Sequence, residues 1–204
     1  MNAENAVFFF FISGNQRFQR PKKILYGREY GIKTRKAHLQ NFHNANRDTV
    51  TKRSNQDLVD FIFIETMNTI REAKAALEGS QKAGLFAAIS FVCNADGNLL
   101  SGESIEDALS VVLPFNPIAI LTNCSPPKIA EVSLYKLLKI ANIPVGIYAN
   151  GDGHPDDNLG WKFMGNMPSE EYLEFAEKWL RDGASIIGGC CGTNPEYIKL
   201  IRQF

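Results

Sequence analysis

Three of the four cysteines sit where apolar runs give way to polar turns. Cys124 lies within Thr122-Asn123-Cys124-Ser125-Pro126-Pro127, and the adjacent pair Cys190 and Cys191 lies within Gly188-Gly189-Cys190-Cys191-Gly192-Thr193. Three thiolates leave a tetrahedral zinc ion one open position, the arrangement of a catalytic site rather than a closed structural one. Neighbouring residues both serve as ligands only where the backbone turns sharply, and Gly188, Gly189 and Gly192 supply that freedom. The expected metal ligands are therefore Cys124, Cys190 and Cys191, with Zn2+ as the cofactor. Cys93 stands alone near a predicted strand end and reads as ordinary buried packing. Nucleophilic cysteine catalysis is the competing chemistry, but it needs a base. His38 and His43 fall in a predicted upstream helix and His154 in a loop, without a context that favours that role.

The cysteines need a scaffold that brings residues 66 and 67 positions apart to one place. From about residue 57 onward, short β-rich runs alternate with helical patterns. Strands are predicted over Phe61–Ile64, Phe86–Val92, Pro117–Thr122, Pro144–Ala149 and Ala184–Ile187, and helices over Thr69–Gln81, Ser104–Val112, Ile129–Ala141 and Ser169–Arg181. Ser104 and Ser169 are the expected caps, and Pro195 opens a final helix where its missing N–H costs nothing. Upstream, Val7–Ile12 reads as a further strand and His38 to about Ser54 as a further helix. Continuous apolar strands between helices indicate a parallel sheet covered by helices. Carboxyl ends of parallel strands share one face, where such folds place their chemistry, and the cysteines follow strand ends. Periodicity leaves a doubly wound sheet and a (β/α)8 barrel both open. About six strands are visible where a closed barrel needs eight. No glycine-rich dinucleotide turn follows a strand. Asn150–Asn166 is a Gly/Asp/Asn/Pro-rich loop, read equally well as a lid or as a surface excursion.

A chain of 204 residues suffices for one domain, burying roughly 70% of its unfolded surface. Lys plus Arg and Asp plus Glu are each 22, so net charge gives no long-range attraction to nucleic acid or an anionic membrane. The first 60 residues carry most of the basic excess. Four clustered cysteines do not make a disulfide framework, and metal-bound thiols point to a reducing compartment. The apolar run Ala6–Ile12 is too short to cross a membrane. A soluble, cytoplasmic protein is expected, of undetermined oligomeric state.

The same residues resemble the homocysteine S-methyltransferase family. Gly188–Thr193 is similar to that family's most specific motif and Asn123-Cys124 to its first-cysteine motif. Ser125-Pro126-Pro127 looks like the branch whose donor is S-methylmethionine or S-adenosylmethionine. Phe63-Ile64-Glu65-Thr66 resembles the strand-end Glu-Thr, and Gly27–Tyr30 with Leu39–His43 resembles the segment before it. The likeness covers about residues 24 to 203. It implies a (β/α)8 TIM-barrel type fold, incomplete with about six parallel strands, as a single domain over residues 1–204. Residues 1–23 depart from the family pattern, with an aromatic run at Phe8–Phe11 where members carry a first strand and an Asp-Gly-Gly turn.

What the resemblance implies chemically is zinc-dependent methyl transfer from a sulfonium donor to the thiol of homocysteine, giving methionine. Glu65 is expected to hold the substrate ammonium, with Thr66, Asn123 and Asn150 as further substrate-binding residues. Asn123 and Thr193 are also placed to orient ligands by hydrogen bonds. Trp161, Phe163 and Tyr148 are candidates for an aromatic lining. Two alternatives stay open: a zinc-binding remnant without turnover, and a methyltransferase with a betaine or folate donor.

Overall fold

The computed structural model describes residues 10–12, 24–25, 61–158 and 160–203. Among these, strands β1 (Phe10–Ile12) and β2 (Ile24–Leu25) precede β3 (Phe61–Met67). Then follow helix α1 (Ile70–Lys82), β4 (Ala87–Val92), α2 (Ile105–Val112), β5 (Ala119–Asn123), α3 (Pro127–Ile140) and β6 (Val145–Ala149). A small hairpin of β7 (His154–Asp156) and β8 (Gly160–Lys162) comes before α4 (Ser169–Arg181), β9 (Ile186–Gly189) and α5 (Pro195–Ile201).

The helices start where the sequence supplies acceptors for their first N–H groups. Thr69 Oγ1 accepts from Glu72 N at 3.1 Å, Ser104 Oγ from Asp107 N at 3.0 Å, and Asn194 Oδ1 from Glu196 N at 2.8 Å. The expected cap at Ser169 is wrong. Pro168 holds the cap position without a side-chain bond, and Ser169 is the first helical residue, turned to Glu170. Helix α3 begins two residues earlier than periodicity suggests, because Pro127 fits the first turn without loss of a hydrogen bond.

The seven-stranded sheet has the order β1-β9-β6-β5-β4-β3-β2. Strands β2, β3, β4, β5, β6 and β9 are mutually parallel, and β1 adds antiparallel to β9 with Phe10 opposite Gly188. The parallel strands follow chain order without reversal, as in a barrel wall; a doubly wound sheet reverses at a switch point. Curvature makes the same distinction. With about 4.8 Å between neighbours, β3 and β6 would stand about 14 Å apart in a flat sheet. The Phe63 ring on β3 lies 5.6 Å from the Tyr148 ring on β6. Among the described residues the sheet is a curved α/β barrel wall of six parallel strands, incomplete, with β1 and β2 at its two ends.

Alternate residues divide into two populations. Ile64, Ile89, Phe91, Ile120, Val145, Ile147 and Ile187 face outward and pack with helix residues such as Leu77, Leu109, Leu134 and Trp179. Ala88, Leu121, Tyr148 and Cys190 face inward, with Phe63, Cys124, Ile186 and Cys191 against them and, among the described residues, no helix residue in the cluster. Tyr172 of α4 closes the outer layer, edge-on to Trp179 and Tyr197. No described helix is long and apolar enough to cross a membrane. The predicted helix over 38–54, the segments 7–9, 27–30 and 39–43, and most of the divergent segment 1–23 lie outside the described residues.

Candidate metal and substrate site

Strands β5 and β9 deliver the cysteines. Strand β5 runs one residue further than apolar patterning suggests, to Asn123, and β9 two residues further, to Gly189, so Cys124 and Cys190 follow them directly. Cys124 takes a left-handed backbone, φ 55°, which turns its side chain out of the strand's alternation. The corner at Cys190 and Cys191 is set by packing as much as by freedom of rotation. Of its three glycines only Gly192 has a positive φ, 75°. Gly189 serves by close approach, since a Cβ there would meet Thr193 Oγ1 at 2.4 Å. Thr193 donates its hydroxyl (2.7 Å) and its N–H (3.1 Å) to the Cys190 carbonyl, which closes the turn.

The structure brings the three expected ligands together. The sulfurs of Cys124, Cys190 and Cys191 all lie within 4.8 Å of one another, and Cys191 Sγ is 4.0 Å from each of the other two. Three sulfurs at the usual Zn–S length of about 2.3 Å in a tetrahedron stand about 3.8 Å apart. The donor set therefore fits one zinc ion, and all three cysteines are free thiols rather than disulfides. Electrostatics is consistent with a cation site. The S–H groups of Cys124 and Cys190 point to Cys191 and hold it far below the usual thiol range, as a thiolate. Cys190 is held as a thiol by those same contacts with Cys124 and Cys191, and by burial. Three thiols so close cannot all ionise without a positive charge among them.

Around the sulfurs lie buried acceptors without partners. Among the described residues, four buried side-chain polar atoms have none: Glu65 Oε1, Asn123 Oδ1, Asn150 Oδ1 and Trp179 Nε1. The first three are acceptors at the carboxyl ends of β3, β5 and β6, beside the cysteines. Each unsatisfied group costs about 1–3 kcal/mol. Burial pushes the Glu65 carboxyl up to about 7; a hydrogen bond from Tyr148 opposes this and the nearby Cys191 adds to it.

Thr66 is held in an unusual conformation. Its φ is 61°, rare for a β-branched residue, at a register shift between β3 and β4. Its N–H donates to Ser90 Oγ (3.0 Å), its Oγ1 accepts from Asn123 Nδ2 (2.7 Å), and its carbonyl accepts from Asn68 Nδ2 (3.2 Å). Such strain costs about 1–3 kcal/mol and persists where surrounding bonds over-determine it.

The segment after β6 is stitched to the cysteine corner. Asn150 N donates to Ser125 O (2.9 Å), Gly151 N to Cys191 O (2.8 Å) and Asp152 N to Gly192 O (3.2 Å). The Asp152 carboxylate then gathers the N–H groups of Met164, Gly165 and Asn166 at 2.8–2.9 Å, which outweigh burial and hold its pKa below the usual range. The loop predicted over Asn150–Asn166 is thus a hairpin excursion with both stems pinned at Asp152. Phe163 is 66% exposed on it, whereas Tyr148 is fully buried at the inner face. The side chain of Trp161 lies outside the described set. Cys93 is buried away from the trio, its carbonyl accepting from Ser125 Oγ.

Tyr172 escaped sequence reading, because it looks like one more apolar contact of α4. Its single hydroxyl hydrogen is shared between Gly188 O (2.8 Å) and Ala149 O (3.1 Å), and its oxygen accepts from Ala149 N, tying the ends of β6 and β9 together beneath the site. Ser90 escaped too, as one polar residue in an apolar strand. No sequence signal marks either.

The family model for homocysteine S-methyltransferase matches residues 19–204. Homocysteine S-methyltransferase 2 of Arabidopsis thaliana is 30% identical over 182 residues, covering 87% of this chain and 54% of that protein. Selenocysteine Se-methyltransferase of Brassica oleracea var. italica is 28% identical over 169 residues, covering 81% of this chain and 48% of its own. The chain spans about half the length of the curated relatives it matches. The metallated form of the homocysteine methyltransferase MmuM from Escherichia coli superposes with a TM-score of 0.64 at 20% identity, over 84% of this chain and 53% of that one. That likeness establishes the barrel-type fold. With the fold and a family-model match over nearly the whole chain in agreement, the chain belongs to the homocysteine S-methyltransferase family.

Proposed function

We propose that the chain, as one unit over residues 1–204, holds a zinc ion through Cys124, Cys190 and Cys191. In this reading it transfers a methyl group from a sulfonium donor, S-methylmethionine or S-adenosylmethionine, to the thiol of homocysteine, forming methionine. The observation that carries this reading is the meeting of three sulfurs within 4.8 Å at the carboxyl ends of two parallel strands. The family membership and the relatives' names support the methyl transfer.

Zinc at this position would supply a Lewis acid that keeps a substrate thiol deprotonated at neutral pH. The chain's own residues do the rest. Glu65 takes the substrate ammonium with its free oxygen, and Asn123 and Asn150 offer two more acceptors, so the three orphaned atoms match an ammonium's three N–H donors. Thr66 holds Asn123 in place through its hydroxyl. Phe63 and Tyr148 form an apolar wall that excludes water. Thiolate and sulfonium neutralise each other as the methyl passes between sulfurs, and a dry wall favours that loss of charge. We place the reaction in the cytoplasm, where thiols stay reduced.

The test is metal analysis and turnover of the purified chain. One zinc per chain, together with methionine formed from homocysteine and a sulfonium donor, is the expected result. Turnover with betaine or a methylated folate alone would reassign the donor. Zinc without turnover with any donor would identify a binding remnant, and lack of zinc would remove the reading altogether.

A further inference from the structure

We propose that Ser90 and Tyr148 are positioning residues, a buried relay that fixes which oxygen of Glu65 faces the substrate ammonium. This rests on the reading of Glu65 given above and adds to it two residues on strands β4 and β6. Both are fully buried on the inner side of the wall, and their hydroxyls meet at 2.5 Å. Ser90 Oγ also accepts from the Thr66 N–H at 3.0 Å, and the Tyr148 hydroxyl hydrogen-bonds the Glu65 carboxylate. The relay therefore begins and ends on consecutive residues of β3 and crosses the inside of the wall between them.

Donor and acceptor rules give this chain of contacts one direction. A backbone N–H only donates, so Ser90 Oγ accepts from Thr66. An ionised carboxylate only accepts, so Tyr148 donates to Glu65. The remaining contact then runs from the Ser90 hydroxyl to the Tyr148 oxygen, and each hydroxyl donates once and accepts once. Protonating Glu65 so that it donates to Tyr148 would reverse the order and leave the Ser90 hydrogen without a partner. In the unreversed order one carboxylate oxygen is engaged by Tyr148, while Oε1 stays buried without a partner. The same bonds hold Thr66 at its positive φ, and through Thr66 Oγ1 they fix the Asn123 amide with Oδ1 free. One relay therefore sets two of the three acceptors offered to the ammonium.

The experiment is equilibrium binding of homocysteine and of its des-amino analogue to the zinc-loaded chain. Each is measured for the wild type, Tyr148→Phe, Ser90→Ala and Ser90→Thr, with zinc content determined in parallel. The wild type is expected to prefer homocysteine. Tyr148→Phe and Ser90→Ala should each cut that preference by about tenfold, through homocysteine alone, with zinc content unchanged. Ser90→Thr, which keeps the hydroxyl, should retain the preference. An unchanged preference in both hydroxyl-deleted variants overturns the relay, as does an equal loss for both thiols, which is the mark of general loosening. Should Ser90→Ala fail to fold, Tyr148→Phe decides. A wild type that binds both thiols equally overturns the Glu65 subsite, and the relay with it.

Discussion

The two faces of the parallel sheet are built from the same strands and obey different rules. The outer face is an apolar layer in which strand and helix side chains interlock, and Trp179 Nε1 is its one orphaned polar atom among the described residues. The inner face at the strand ends concentrates what a folding chain avoids: two non-glycine residues at positive φ, three buried acceptors without partners and three crowded sulfurs. The outer face carries stability, and the inner face spends some of it on features that a bound cation and a bound ammonium would satisfy. The comparison shows where to look for function in such a wall. Local cost collected at one end of one face is a stronger pointer than any single residue.

The largest expected effect tests the sulfurs. Cys190→Ala or Cys191→Ala should lower zinc affinity by more than about 100-fold, since even groups that merely support ligands are worth 10–100-fold. Bound zinc in the purified variants measures this, and full retention in both would take the metal away from this corner. On the outer face, Leu134→Ala should cost about 2–5 kcal/mol in urea unfolding, as for other fully buried leucines. The same variant should keep full zinc stoichiometry while folded; a variant that unfolds easily and also loses zinc selectively would blur the division between the faces.

Glu65 tests the cost of the inner face. In the metal-free chain its carboxyl is raised from 4.5 to about 7. Below pH 4.5 it is protonated in folded and unfolded states alike and adds no penalty. Between 4.5 and 7 the unfolded chain releases a proton that the folded chain keeps, so stability falls as pH rises. Relative to the wild type, Glu65→Gln should therefore gain about 3 kcal/mol above pH 7 and nothing well below 4.5. The same substitution should weaken homocysteine binding, and a flat stability difference across that range would return Glu65 to ordinary solvation. The smallest effect is expected at Asp152. Asp152→Ala should cost about 1 kcal/mol globally, yet it should speed proteolytic cleavage within residues 153–163 while zinc content holds.

Much of this was legible in the sequence because the signals were local. Thr69, Ser104 and Pro195 announce helix starts through atoms a few residues away. The apolar runs announce a parallel sheet because they are buried on both sides. Cys190-Cys191 between glycines has few structural reasons to exist, so its chemistry stands out. What stayed hidden depends on partners far along the chain. The positive φ of Thr66 is imposed by Ser90 and Asn123, and nothing about a threonine after a glutamate forecasts it. The Ser90 to Tyr148 contact joins residues 58 positions apart across the sheet's curvature. The hairpin within 150–166 was masked by turn-forming composition, and the organising role of Asp152 lies in backbone groups of no fixed residue type. Ser169 misled because Pro168, already extended, takes the cap position before it.

The unbroken strand order bears on how the molecule assembles. Each parallel strand from β2 to β6 can dock on its predecessor as synthesis proceeds, a largely local process that needs few distant encounters. Strand β9 is the exception with consequences, because it brings two of the three sulfurs and also serves as the edge on which β1 pairs, Phe10 meeting Gly188. The meeting of the three sulfurs and the joining of the chain's earliest described strand therefore both wait for β9. A nascent chain arrested before residue 186 would hold only Cys124 of the three clustered sulfurs and could form no chelate there.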